Sequence, residues 1–336
     1  MKFFSLTAVF IFASGLLCMG LMWATFHFPS SKDRRTVEVK VDRGEPFPAI
    51  TRSLKEKSVI SSERLFSFWA TVLAVDKKIR WGHYRFELPL SPREVLNQLV
   101  SGKGVFLRVT VPEGLTVKEI ADLLEKEEVM KKQELLEEAR NPELLSQLEL
   151  EGKGLEGYLF PDTYYFSPGT SAREILLAMG SQFRRKLTPA MQKQSLAMGF
   201  DIHQIVTLAS VIEKETGNDL ERPLISAVFH NRLKSRMPLQ SDPTVIYSLD
   251  DFSGDLKRKD LRNPSPYNTY QVQGLPPGPI CNPGLSSLNA ALEPAPVPYL
   301  YFVSKNDGSH IFSVTLDEHN RAVKTYQIGN RGAVRR

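Results

Sequence analysis

Leu208–Tyr247 reads LASVIEKETGNDLERPLISAVFHNRLKSRMPLQSDPTVIY. It opens inside a helical run, Ile202–Thr216, breaks at Gly217-Asn218-Asp219, resumes as a second helix over Glu221–Ser235 and turns loop-rich after Met237. At about 100° per residue, Ile205, Ala209, Ile212 and Thr216 share one face of the first helix. Two carboxylates, Glu213 and Glu215, border that apolar face, the first beside Val206, Ala209 and Ser210, the second beside Leu208 and Val211. A charged carboxylate among apolar neighbours is costly unless paired, and burial raises its pKa. A carboxylic acid kept protonated near neutral pH is what cleavage of a glycosidic bond needs as a general acid. Two positions apart, the side chains diverge by roughly 200° on the helix, so they do not flank one bond as paired glycosidase acids do. At most one of them is the acid, and periodicity does not choose between them.

The flanking sequence reads as the rest of a mixed α+β domain. Prolines at 238, 243, 264, 266, 276, 277, 279 and 283 mark a long irregular stretch, and such a stretch inside a domain usually builds a binding surface. Within it Gln240, Asn268, Thr269 and Tyr270 suit recognition of hydroxyl and N-acetyl groups. Upstream, Leu155–Pro168 is dense in aromatics; Tyr158, Phe160, Tyr164 and Tyr165 offer flat faces to sugar rings or fill a core. Asp162 and Asp242 sit beside turn formers, as Asx caps or sugar contacts. His230-Asn231-Arg232 lies on a helix face and reads as structural. Tyr299–Ser304 and His310–Ser313 read as a hairpin around Asn306-Asp307-Gly308, followed by a helix over Leu316–Ile328.

The N-terminal half has a different character. Phe3–Phe28 carries no Asp, Glu, Lys or Arg, and about 20 apolar residues suffice to span a bilayer, so residues 1–29 read as a cytoplasmic tip and transmembrane anchor. An internal repeat follows: Val37–Ile60 aligns without gaps on Leu107–Met130, each copy a strand, a glycine turn (Gly44, Gly114) and a helix. Ser91 is placed to cap a helix with Pro92 at its first position. This order resembles LysM-like modules, which bind N-acetylated glycans, and assigns residues 36–150 to a LysM-like region, either glycan-binding or purely structural. Lys131–Glu151 reads as charged and helical, a connecting arm, and 331–336 as a basic tail.

Composition narrows the function. The 336 residues are 42% hydrophobic and 24% charged, ordinary for a folded protein. A net charge of +5 fits an anionic polymer or surface, and no basic run with interleaved aromatics points to nucleic acid. The two cysteines, Cys18 and Cys281, make no disulfide framework. The six histidines lack metal-ligand spacing and no glycine loop for phosphate is present, so no cofactor or metal is expected.

LEGYLFPDTY (155–164), ASVIEKET (209–216), LQSDPTVIY (239–247), NPSPYNTY…GLPPGPICNPG (263–284) and PYLYFV (298–303), in this order, resemble endolytic murein transglycosylases of the YceG/MltG type. The resemblance covers about 150–330 and implies a lytic transglycosylase domain over 151–330. It implies cleavage between N-acetylmuramic acid and N-acetylglucosamine of nascent peptidoglycan strands, leaving a 1,6-anhydro end and ending elongation. One carboxyl group serves as acid and then base in such a reaction; the family motif maps it onto Glu213. Glu156, Tyr158, Asp162, Tyr164, Gln240, Asp242, Asn268, Thr269 and Tyr270 are the candidate substrate contacts. Implied with this are a single-pass protein of the bacterial inner membrane, its body outside the cytoplasm, with peptidoglycan synthases as candidate partners. A non-catalytic wall-binding or scaffold protein using the same groove is the alternative.

Overall fold

Strand alternation and helix caps written in the sequence set the local structure. A computed structural model of the chain describes residues 14, 16, 17, 19–29, 33–42, 44–102, 105–150, 152, 154–249, 252 and 254–328. Two compact units result. One comprises the described residues up to Val109 with Tyr164–Gly169; the other comprises Thr110–Thr163 and the described residues from Thr170 on.

In the first unit β1 (Arg35–Val41) runs antiparallel to β2 (Gly82–Leu88), pairing Val37 with Phe86 and Val39 with Tyr84. Their inward side chains, Val39, Val41, Tyr84 and Phe86, are buried against α1 (Phe47–Glu56), α2 (Glu63–Val72) and α3 (Pro92–Ser101) through Ile50, Leu54, Phe66, Ala70, Val95 and Leu99. Ser91 caps α3 in a capping box with Glu94, and Pro92 occupies its first turn, as read from the sequence. β3 (Val105–Thr110) and β4 (Thr163–Phe166) complete a four-stranded sheet in the order β1-β2-β3-β4.

Two expectations are corrected here. Among the described residues no single helix is long and apolar enough to cross a membrane. The helical residues 19–27 include Phe26, which is 4% exposed and stacks on Trp69 in the core of the first unit, at 4.8 Å between ring centroids. The end of the apolar run is thus spent on protein packing, and the single-pass inner-membrane topology is withdrawn with the anchor; residues 1–13, 15 and 18 of that reading lie outside the described residues. Among the described residues LysM modules are not present either. Both copies of the repeat do form a strand and a helix, but their strands β1 and β3 flank the same strand β2 of one open sheet. The helix of the second copy, α4 (Val117–Lys126), belongs to the second unit. Local strand-turn-helix pattern is shared; a repeated module is not. The mixed α+β character holds.

The second unit is built round α9 (Ile202–Glu215), capped by Asp201 and Gln204. Every residue from Ile205 to Ile212 is buried, including Thr207 and Ser210, whose hydroxyls donate to the carbonyls of His203 and Thr207. A helix apolar on all sides belongs inside a core. Around it lie α7 (Ala172–Lys186), α8 (Pro189–Ala197, capped by Thr188), α10 (Arg222–Lys234), α11 (Asp242–Tyr247) and α12 (Leu285–Leu292). The charged segment after α4 is helical, as expected. It folds as α5 (Lys132–Glu138) and α6 (Pro142–Gln147), burying Leu135 and Leu144, and Leu148 lies against Gly180 of α7. The hairpin of β5 (Tyr301–Ser304) and β6 (His310–Ser313), then α13 (Leu316–Val323), close the unit. The expected tail at 331–336 lies outside the described residues.

Candidate active site

The last turn of α9 carries both carboxylates, and the chain gives them unlike partners. Both oxygens of Glu213 are occupied: Arg222 Nη2 donates to Oε1 at 3.2 Å and the Gly284 backbone N–H to Oε2 at 3.0 Å. Side chains of Glu213 and Arg222 are each only 6% exposed. Arg222 also donates to Ser287 Oγ at 3.0 Å and pairs with Asp219. A Cβ at position 284 would fall on the carboxylate of Glu113, so that side chain lies directly against Gly284. Burial, then the charge of Glu213, pushes the Glu113 carboxyl above its usual range. Lys214 turns aside and donates to the Gly114 carbonyl at 3.2 Å.

Glu215 opens into a cavity of about 310 Å³ that it shares with Arg232, Gln240, Asp242, Tyr270 and His310. The Ser241 hydroxyl donates to its Oε1 at 2.5 Å. Burial pushes its carboxyl up to about 7, outweighing the Ser241 hydrogen bond and the opposing charge of Arg232. Two loops hold Ser241 there. Its N–H donates to Thr269 Oγ1 at 3.0 Å, and Thr269 Oγ1 meets Thr244 Oγ1 at 2.8 Å. Gln240, at φ 50°, gives its N–H to the Thr269 carbonyl, while its Oε1 accepts from Arg232 Nη1. Arg232 is itself fixed by the carbonyls of Leu239 and Leu300, with its guanidinium 5.2 Å from the Tyr301 ring centroid.

Of the expected contacts, Gln240, Asp242 and Tyr270 line this cavity, with the Tyr270 hydroxyl donating to Asp242 Oδ1 at 2.7 Å. Asn268 and Thr269 are fully buried and brace its wall; Asn268 Nδ2 donates to the carbonyls of Leu261 and Asn263. The others stand elsewhere. Asp162 accepts from the Thr163 N–H and from Gln182, a turn-stabilising role. Tyr158 is buried, its hydroxyl 2.8 Å from His203 Nδ1. Tyr164 lies in the first unit, stacked on Phe166. Glu156 accepts from the Val117 N–H at the start of α4, from Asn282 at 3.1 Å and from the Tyr247 hydroxyl at 3.4 Å. Burial pushes its carboxyl up to about 7 as well. Sequence reading passed over Ser241, between two residues it named, and took Arg232 as structural. His310 was hidden in a short strand, where it is the one titratable side chain of HIFS.

A partly desolvated acid at the end of a core helix, facing a polar cavity ringed by donors and acceptors, defines a proton-transfer enzyme for a hydroxyl-rich ligand. The YceG-like family pattern matches residues 39–325. An endolytic murein transglycosylase of Bacillus subtilis (strain 168) is 35% identical over 318 residues, covering 89% of this chain and 87% of its own length. One from Streptococcus pneumoniae (D39) is 26% identical, covering 87% of this chain and 59% of that protein. A crystal structure of a yceG-like protein from Listeria monocytogenes superposes with a TM-score of 0.64 at 32% identity, covering 85% of this chain and 98% of that one. The chain belongs to the YceG-like family.

Proposed function

We propose that this chain is an endolytic murein transglycosylase whose acid is Glu215 rather than Glu213. It cuts peptidoglycan strands internally at the bond from N-acetylmuramic acid to N-acetylglucosamine. The observation that carries the choice is the contrast between the two carboxyl groups. Glu215 faces the cavity with a carboxyl lifted to about 7, so it holds a transferable proton near neutrality, whereas both oxygens of Glu213 are engaged by Arg222 and Gly284. Protonated Glu215 gives its proton to the glycosidic oxygen as the C1–O bond breaks. The C6 hydroxyl of the same muramic residue closes on C1 and gives its proton to a basic group of the site, leaving a 1,6-anhydro end and no water added. Gln240, Asp242 and Tyr270 line the path of the sugar. On the family reading the strands are nascent, the cut ends their elongation, and peptidoglycan synthases are the partners.

Purified protein incubated with intact peptidoglycan tests this. Muropeptides carrying anhydro ends are expected on mass spectrometry. Reducing ends in their place would mean hydrolysis, and bound but uncut strands a wall-binding or scaffold protein.

A further inference from the structure

The cavity holds a second group built for proton transfer. Glu221 stands just before α10, 9% exposed, where the helix's N-terminal N–H groups favour a negative charge. Its carboxylate grips His310 twice. The His310 backbone N–H donates to Oε1 at 3.0 Å and ring Nδ1 lies 2.6 Å from Oε2. A carboxylate facing Nδ1 at that distance accepts a hydrogen bond from Nδ1–H, which holds the proton on Nδ1 and leaves Nε2 as the ring's acceptor. Phe302 packs edge-on against the imidazole, with centroids 5.6 Å apart. His310 lines the same cavity as Glu215. An imidazole oriented by one carboxylate and sharing a cavity with a separate carboxylic acid supplies the two groups of an acid–base pair.

We propose that His310, held by Glu221, is the base of the reaction: its Nε2 takes the proton of the attacking hydroxyl. This rests on the preceding reading that the cavity receives the muramic residue. As the C1–O bond to the leaving sugar breaks, Glu215 gives up its proton to the departing oxygen. As the C6 oxygen bonds to C1, its proton passes to His310, and Glu221 stabilises the imidazolium. Proton return from His310 to Glu215 through solvent resets the site. The work is then divided between two residues instead of one carboxyl group acting twice. The other charged or titratable groups of this cavity are Arg232, Asp242, Tyr270 and His319.

Kinetics of His310→Gln and Glu221→Gln, followed by release of anhydro ends, test the assignment. His310→Gln should lower kcat by about 10²-fold or more and leave KM nearly unchanged. Glu221→Gln keeps the ring but removes the carboxylate that orients it and stabilises its imidazolium, so kcat should fall while KM and the melting temperature are kept. Turnover by His310→Gln within about threefold of wild type would overturn the proposal. So would a loss confined to KM, which marks a binding residue. Should His310→Gln fail to fold, a wild-type kcat in Glu221→Gln overturns it instead. If the wild type releases reducing ends, the transglycosylase reading falls and with it the choice of hydroxyl, while His310→Gln still decides whether the ring is the base.

Discussion

Glu213 and Glu215 stand on one turn of α9 and meet opposite surroundings. Glu213 is half of a buried ion pair, and breaking such a pair is strongly destabilising, by about 3–5 kcal/mol. Arg222→Met should therefore lower the melting temperature sharply by leaving Glu213 buried with a single N–H donor, a shift calorimetry would detect. Glu156 makes a different prediction. Its folded carboxyl, near 7, lies above the ordinary unfolded value of 4.5, so the native state binds the extra proton between those values. Its contribution to stability is full below about 4.5 and is lost as pH rises towards 7. Glu156→Gln should flatten that decline in melting temperature, though not remove it, because Glu215 titrates in the same direction. The two carboxylates at 213 and 215 were legible in the sequence as candidates for the acid. The choice between them was not, since it rests on Arg222, nine positions on, and on Gly284, 71 positions on. No local period reports partners at that distance.

At the scale of elements, α9 was readable from its 3.6-residue period, and so was the loop-rich stretch after Met237 as the seat of a binding surface. What the stretch does in detail was not readable. Thr269 is fully buried and links two loops by accepting the Ser241 N–H and meeting Thr244, so its role depends on a chain crossing. Thr269→Val should cost about 1–3 kcal/mol by leaving the buried Ser241 N–H without its acceptor. It should also lower kcat, because the Ser241 hydroxyl would no longer be held on Glu215; urea unfolding and turnover measured together check both. The apolar N-terminal run misled for a related reason. Phe26 is apolar because it packs on Trp69, and hydropathy alone does not distinguish a lipid tail from an indole ring.

Across the whole molecule, the family resemblance drew a lytic transglycosylase domain over residues 151–330. In the second unit, however, Glu113, Gly114 and Val117 reach Gly284, Glu213, Lys214 and Glu156, and the Gly114 N–H donates to the Asn282 carbonyl at 2.9 Å. A chain beginning at residue 151 lacks all of these together with α4–α6. It should unfold without cooperativity in circular dichroism, whereas one beginning at Thr110 should retain a sharp transition. The central claim is that Glu215 supplies the proton, and the most direct measurement compares Glu215→Gln with Glu213→Gln, each digesting the same peptidoglycan across pH. The account predicts that Glu215→Gln loses about 10²–10⁴-fold of anhydro-end release with its melting temperature kept. In Glu213→Gln the folded fraction should turn over with an alkaline limb still near 7, as in the wild type. A Glu215→Gln enzyme that still releases anhydro ends at near wild-type rate, beside a folded but inactive Glu213→Gln, would contradict it.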